Sequence, residues 1–234
     1  MVTERTLYIS LDELHHTHPH EYRHRLLQSV LHEEVFIYPT DTIYGLWGVL
    51  SPHVIERIYT LKRRPAHKSF SLLAPSLLRI AIQRSAMLPW STIEHKADKF
   101  LTWLQELMAI HGPLTTLFPK PFNSPWFSPG AKIPLYPTTV RNSLSPTAYV
   151  GVRYLCDHPM QSFAQHVGRP LISTSANISW HPVIQKTSDL PEDWSDVIPH
   201  MVFDPSRETR TQSTRIQWST LVYYPSGKVQ PRDA

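Results

Sequence analysis

Cysteine is nearly missing from this sequence of 234 residues: Cys156 stands alone. One thiol excludes an internal disulfide and any Cys-x-x-Cys pair, and fits a reducing compartment, the cytoplasm. Glycine is scarce too, with seven residues, and neither G-x-x-x-x-G-K-[ST] nor G-x-G-x-x-G occurs. A nucleotide bound here must be held by side chains, not by a glycine-rich cradle. No apolar run approaches the roughly 20 residues that a membrane span needs. The N-terminal stretch MVTERTLYISLDEL carries acidic residues and no apolar h-region, so it does not read as a secretory signal.

Other features are plentiful. Hydrophobic residues make up 41% and charged residues 18%, a globular composition, and the length allows one sizeable core or at most two small ones. The net charge of +4, with 14 histidines besides, suits phosphate-bearing ligands or RNA without distinguishing them. Alternating elements can be read along the chain. The spacing of Tyr22, Leu26, Leu27, Val30 and Leu31 predicts a helix over 20–32. VFIYP (35–39) reads as a buried strand. Ser51-Pro52 is an N-cap followed by a first-turn proline, opening a helix that buries Ile55, Ile58 and Tyr59. SFSLLA (69–74) reads as a strand, and Pro75 starts a helix to about Ser85. A longer helix covers 92–110. PLTTLF, AYVGVRY and PLISTS are strand-like, with a helix at about 159–167 between the last two. The pattern is that of an α/β domain.

Pro119 to Pro146 stands apart, with seven prolines and with Trp126, Phe127 and Tyr136 among polar residues. It reads equally as a functional lid or as a disordered excursion. Four other stretches place hydroxyls, amides and cations at turns and strand ends: YPTDTIYGL (38–46), LKRRPAHK (61–68), HGPLTTLF (111–118) and PLISTSANIS (170–179). Taken singly, KRR is a solvated corner and STSAN a turn with local side-chain to backbone bonds.

Taken together and in this order, they resemble the YrdC-type threonylcarbamoyl-AMP synthase family. That pattern runs P-T-[DE]-T-x-Y-G-L, L-K-x-R-P, G-P-x-T, V-R-x-x-x-H-P, S-A-N. The chain gives Pro39-Thr40-Asp41-Thr42-Ile43-Tyr44-Gly45-Leu46, Leu61-Lys62-Arg63-Arg64-Pro65, Gly112-Pro113-Leu114-Thr115, Val152-Arg153 with His158-Pro159, and Ser175-Ala176-Asn177. The resemblance covers about 200 residues, from the helix before Val35 to the C-terminus.

It implies a single YrdC-like α/β domain over 1–234, with its core at about 20–232, built as a twisted open mixed sheet with flanking helices around a basic cavity. It implies an L-threonylcarbamoyladenylate synthase, a nucleotidyltransferase that joins L-threonine, bicarbonate and ATP and releases pyrophosphate. Mg²⁺ would be held mainly by phosphates. A partner transferase would then modify adenosine 37 of tRNAs that read codons beginning with A. Lys62 and Arg64 become the catalytic pair. ATP binding falls to Lys62, Arg64, Lys68, Thr115, Ser175, Asn177 and Arg232, and threonine binding to Thr40, Arg153 and Ser213. Weak tRNA or double-stranded RNA binding through phosphates is compatible with the same basic surface.

The chain departs from the pattern in three places, one of them the Pro119 to Pro146 segment, which is longer than the family's equivalent loop. Ile110-His111 precede Gly112-Pro113 where the family has W-P, and DPSRETRTQSTRIQ lacks the family's glycines, so the register of Ser213 and Arg232 is loose. The histidines at 15, 16, 18, 20 and 24 offer transition-metal ligands, but no acid or cysteine partner fixes a geometry. Cys156 reads as a small core side chain. Two other functions fit parts of the pattern. One is a carbamoyl-adenylating relative, which expects zinc-finger or acylphosphatase segments. The other is an RNA-binding module without catalysis, which has no need of Lys62, Arg64, Ser175 and Asn177 together.

Overall fold

The protein was analysed as a computed structural model that describes residues 6–65, 68, 70–73, 90–119, 149–153, 155, 158–209, 219–223 and 226–230. Strand β1 (Leu7–Ser10) leads into a π-helical turn (Glu13–Thr17) and helix α1 (Pro19–Leu31). Then come β2 (Phe36–Pro39), β3 (Tyr44–Val49), α2 (Pro52–Leu61), β4 (Ser71–Leu73), α3 (Trp90–His111), β5 (Leu114–Pro119), β6 (Tyr149–Arg153), α4 (Pro159–Val167) and β7 (Leu171–Ser175). The rest is α5 (Glu192–Ser195), β8 (His200–Phe203), α6 (Pro205–Glu208), β9 (Thr220–Tyr223) and β10 (Lys228–Gln230).

Local chemistry explains the boundaries. At α2 the Ser51 hydroxyl accepts from Val54 N at 3.2 Å, and Pro52 occupies the first turn, where no N–H is needed. At α4 His158 does the same work: its Nδ1 accepts from Met160 N at 3.2 Å, with Pro159 next in the chain. Gly168 ends that helix at φ 67°, a conformation that costs glycine little.

The described strands form one open mixed sheet in the order β1-β8-β2-β3-β7-β4-β6-β5-β9-β10. The centre is antiparallel: β3 pairs with β2 and β7, and β7 with β4. β4 runs parallel to β6, and β8 parallel to both β1 and β2. β2 and β3 are buried along their whole length, so they read as apolar runs without alternation.

The expected strand over 69–74 is shorter, at Ser71–Leu73, and the long helix slightly longer, at Trp90–His111. The helix expected from Pro75 to Ser85 and the proline-rich stretch after Pro119 lie outside the described residues. So does Cys156. β1, β3, β8, β9 and β10 were not foreseen; β3 carries two glycines, which strands usually avoid, the others are short, and β10 alternates exposed and half-buried residues without a strong apolar signal.

Gly48 lets α2 lie close on β3. A Cβ there would stand 2.5 Å from Val54 Cγ1 and 3.3 Å from the Glu34 carbonyl oxygen. Neither neighbour is the loose end of a long side chain. Gly48→Ala is expected to destabilise the fold by about 1–3 kcal/mol. Thermal melting checks this, with Tm falling roughly 2–4 °C for each kcal/mol lost.

Candidate active site

Strand register builds the site. Ser175 pairs with Gly45, Ser173 with Trp47 and Ser71, Ser71 with Gly151, and Thr115 with Arg153. Side chains alternate between faces along a strand. Gly45, Ser175, Ser173, Ser71, Gly151, Arg153 and Thr115 therefore share one face, while Leu46, Ile172, Leu72 and Val152 pack into the core on the other. Small residues on five adjacent strands leave a hollow of about 280 Å³. It spreads across a face of the sheet. Strand carboxyl ends, where an open parallel sheet would place a ligand, do not line up in this mixed one.

The β2–β3 turn supplies one wall. The Thr40 hydroxyl donates to Ile43 O at 2.7 Å and accepts from the N–H groups of Thr42 and Ile43 at 3.2 and 3.1 Å. Arg207 Nη2 donates to the Thr40 carbonyl, and its guanidinium lies 5.2 Å from the Tyr44 ring centroid. This fixed turn presents Asp41 and Thr42. Arg153, 8% exposed, donates through Nη2 to the Asp41 carboxylate and to Thr42 Oγ1 at 3.0 Å. Burial pushes its pKa down, against the opposing pull of Asp41. Arg153 Nε is buried with no partner.

The KRR corner supplies another part of the lining. Arg63 takes a left-handed backbone, φ 45°, which turns the chain out of α2. Arg64 and Lys68 then line the hollow. Arg64 Nε donates to Lys68 O at 3.3 Å, and its guanidinium lies 4.9 Å from the Phe70 ring centroid. Tyr59 Oη also donates to Lys68 O, at 3.0 Å. The Lys68 ammonium rests 3.2 Å from the centroid of the Trp180 ring, and burial followed by the Arg64 charge lowers its pKa.

Lys62 is placed differently from its expected role. Instead of facing the hollow beside Arg64 and Lys68, it is 1% exposed and braces the wall from beneath. Its Nζ donates to the carbonyl oxygens of Ser175 and Asn177 at 2.5 and 2.7 Å, and to Asn177 Oδ1 at 2.9 Å. Burial, then the Arg64 and Lys68 charges, push its pKa down to about 7, while three oxygens, one per N–H, favour the ammonium. Asn177 is equally occupied. Its Oδ1 also accepts from Ser175 Oγ at 2.7 Å, and its Nδ2 donates to His181 O at 2.7 Å.

Of the residues singled out from sequence, Thr40, Arg64, Lys68, Thr115, Arg153 and Ser175 line the hollow. Lys62 and Asn177 hold the S-A-N turn against α2. Ser213 and Arg232 lie outside the described residues. The structure adds Thr42, Ser71, Ser173 and Ser219 to the lining, with Thr115 Oγ1 and Ser219 Oγ 2.9 Å apart. Asp41 and Thr42 were visible inside the P-T-D-T motif. Ser71 and Ser173 were visible only through strand alternation, and Ser219 and Arg207 gave no signal.

A second hollow of about 810 Å³ lies between the π-helical turn, α1 and α4. His158 and Tyr38 both line it, their rings 6.0 Å apart edge to face. Burial pushes His158 down to about 4, so at neutral pH it is an uncharged cap, not a proton carrier. Among the described residues no three His, Cys, Asp or Glu side chains come together to hold a metal ion. The N-terminal histidines therefore form no metal site within the described structure.

The sequence profile of the Sua5/YciO/YrdC family, described as telomere recombination, matches residues 28–223. The chain belongs to the Sua5/YciO/YrdC family. The match ends before Arg232. A threonylcarbamoyl-AMP synthase from Pseudoalteromonas translucida (strain TAC 125) is 29% identical over 177 residues, covering 74% of this chain and 80% of that protein. Sua5 from P. abyssi, solved with L-threonine, superposes with a TM-score of 0.61 at 19% identity, over 94% of this chain and 56% of that one. E. coli YciO superposes at 0.59 with 16% identity, over 97% and 94%. The two structures establish the fold, an open YrdC-type sheet with flanking helices.

The buried Lys62 ammonium yields a pH prediction. Its pKa is about 7 in the folded chain and ordinary, near 10.5, when unfolded. Between those values the unfolded chain binds more protons, so this group makes stability rise with pH. In Lys62→Met that contribution disappears. The stability difference between wild type and variant should grow in favour of wild type from pH 7 to pH 10, as measured by urea denaturation.

Proposed function

We propose that the protein is an L-threonylcarbamoyladenylate synthase, making threonylcarbamoyl-AMP from L-threonine, bicarbonate and ATP with release of pyrophosphate. The observation that carries this reading is the lining of the hollow. Arg64 and Lys68 supply a cationic part of the lining, Arg153 stands buried beside Asp41 and Thr42, and hydroxyls complete the surface. Two anionic substrates can be brought face to face there. The named relatives and the family match support the same reaction class.

The reaction asks for such a surface. The threonine amine captures carbon dioxide or bicarbonate as a carbamate, whose oxygen attacks the α-phosphorus of ATP while pyrophosphate leaves. Positioning and charge neutralisation dominate, with little call for a general base. Arg64, with its planar fork, and Lys68, a point charge, are assigned to the phosphates. Ser175 and Thr115 are assigned hydrogen bonds to the nucleotide, and Lys62 and Asn177 act by fixing the turn that carries Ser175. Arg153, through its unpartnered Nε, is assigned to the threonine carboxylate. Thr40 shapes that pocket through the turn it closes. With no protein cage for a cation among the described residues, Mg²⁺ would be carried on the triphosphate and screen its charge.

The product then serves a transferase that modifies tRNA, and the cytoplasm is the compartment assigned here. No helix among the described residues is long and apolar enough to cross a membrane.

Pyrophosphate release, with threonine, bicarbonate and ATP omitted in turn, tests the reaction. Each omission should abolish release; release without threonine points to another acceptor. Charge-assisted hydrogen bonds contribute about 1.5–3 kcal/mol, so Arg64→Ala should lower kcat/KM for ATP roughly 10- to 150-fold. Arg64→Lys should recover only part of it, since the fork is lost. Serine, which lacks only the methyl of threonine, should be used roughly 10- to 200-fold less efficiently, and valine, which lacks the hydroxyl, less still. Equal rates with all three amino acids would overturn the threonine assignment.

A further inference from the structure

Trp180 is hard to explain as part of the fold. Trp47 and Trp194 are completely buried, whereas Trp180 is 78% exposed. An indole in that position contributes little hydrophobic burial to folding. Its backbone is also costly: φ is 71°, a left-handed conformation that large side chains rarely adopt. Such strain persists only where the surroundings enforce it, and it gathers at ligand clamps. Here the surroundings do enforce it. Ser179 N donates to Lys62 O at 2.8 Å, His181 N to Ile178 O at 3.0 Å, and Asn177 Nδ2 to His181 O at 2.7 Å. The ring is thus presented from a pinned turn. It stands beside the cationic wall, because the Lys68 ammonium that lines the hollow sits 3.2 Å from its centroid.

We infer that Trp180 is a stacking platform for the purine ring of the nucleotide, holding Lys68 on its face in the empty protein and releasing it to the phosphates when the base arrives. This rests on the reading of the hollow as a nucleotide site and adds a residue that touches the base. Cation and base compete for the same π-face. The phosphates offer Lys68 a stronger partner than the ring does, so one exchange frees the platform and completes the phosphate wall. Stacking tolerates any base, so Trp180 supplies affinity for a nucleotide over a bare polyphosphate, not selection of adenine over guanine.

The test is calorimetric titration of the full chain with ATP and, separately, with inorganic tripolyphosphate, which has the charges but no base. Trp180→Gly removes the platform, and glycine accepts the left-handed backbone without strain. That variant should bind ATP roughly 5- to 150-fold more weakly than wild type. It should bind tripolyphosphate within about 2-fold of wild type, since the loss resides in the base contact. Its Tm should be higher by roughly 2–4 °C, because the strain is relieved. Trp180→Phe, which keeps a ring, should retain most of the ATP affinity. Unchanged ATP affinity in Trp180→Gly overturns the inference. So does an equal loss for both ligands, which would make Trp180 a support for Lys68 alone. A wild-type chain that binds neither ligand overturns the nucleotide reading itself.

Discussion

One buried ammonium ties the site together. Lys62 lies at the end of α2, and its three N–H groups reach the carbonyls of Ser175 and Asn177 and the side chain of Asn177, 113 and 115 positions along the chain. The backbone adds two further ties, from Ser179 N to Lys62 O and from the Trp194 indole to Leu61 O at 3.2 Å. Lysine is almost never fully buried unless its charge is matched. Here the matching partners are carbonyl dipoles rather than a carboxylate. While Lys62 is protonated the ammonium is satisfied and its positive charge stays uncancelled behind the wall that carries Arg64 and Lys68, a contribution that fades as pH rises past about 7. The wall gains potential without a third side chain in the hollow.

The hollow itself follows from a choice of small residues. Glycine and serine on β3, β7, β4 and β6 leave space where bulkier side chains would fill the face, while the opposite face of the same strands carries leucine, isoleucine and valine. The site and the core are two sides of one alternation. A change on either face shifts the strands that form the other.

Much of this was legible in the sequence, for identifiable reasons. Ser51-Pro52 predicted a helix start because capping is local chemistry. The five short motifs pointed to the family because each is a turn or strand end whose residues act together. What sequence could not give was direction. Lys62 and Arg64 sit two apart in one motif, yet one turns inward to a loop more than a hundred residues away and the other lines the hollow. Arg207 and Ser219 were silent because their roles arise wholly from tertiary contact: Arg207 with the Thr40 carbonyl, Ser219 with Thr115. The edge strands β1 and β10 were missed because short, half-exposed strands carry little apolar pattern, and the buried central strand β3 was missed because its two glycines argue locally against a strand.

Strand β7 has a consequence for how the chain reaches its native state. It lies between β3 and β4, although both of those are synthesised about a hundred residues earlier. Until Leu171–Ser175 leave the ribosome, β3 and β4 have no common neighbour, and each keeps an unpaired edge. Insertion of a late central strand is a non-local closure, the kind of step that slows folding. The emerging chain is most vulnerable to edge-to-edge association in that interval. The same event delivers the S-A-N turn to Lys62, so sheet completion and assembly of the anion wall coincide, and a polypeptide stopped short of β7 would own the cations without the surface that arranges them.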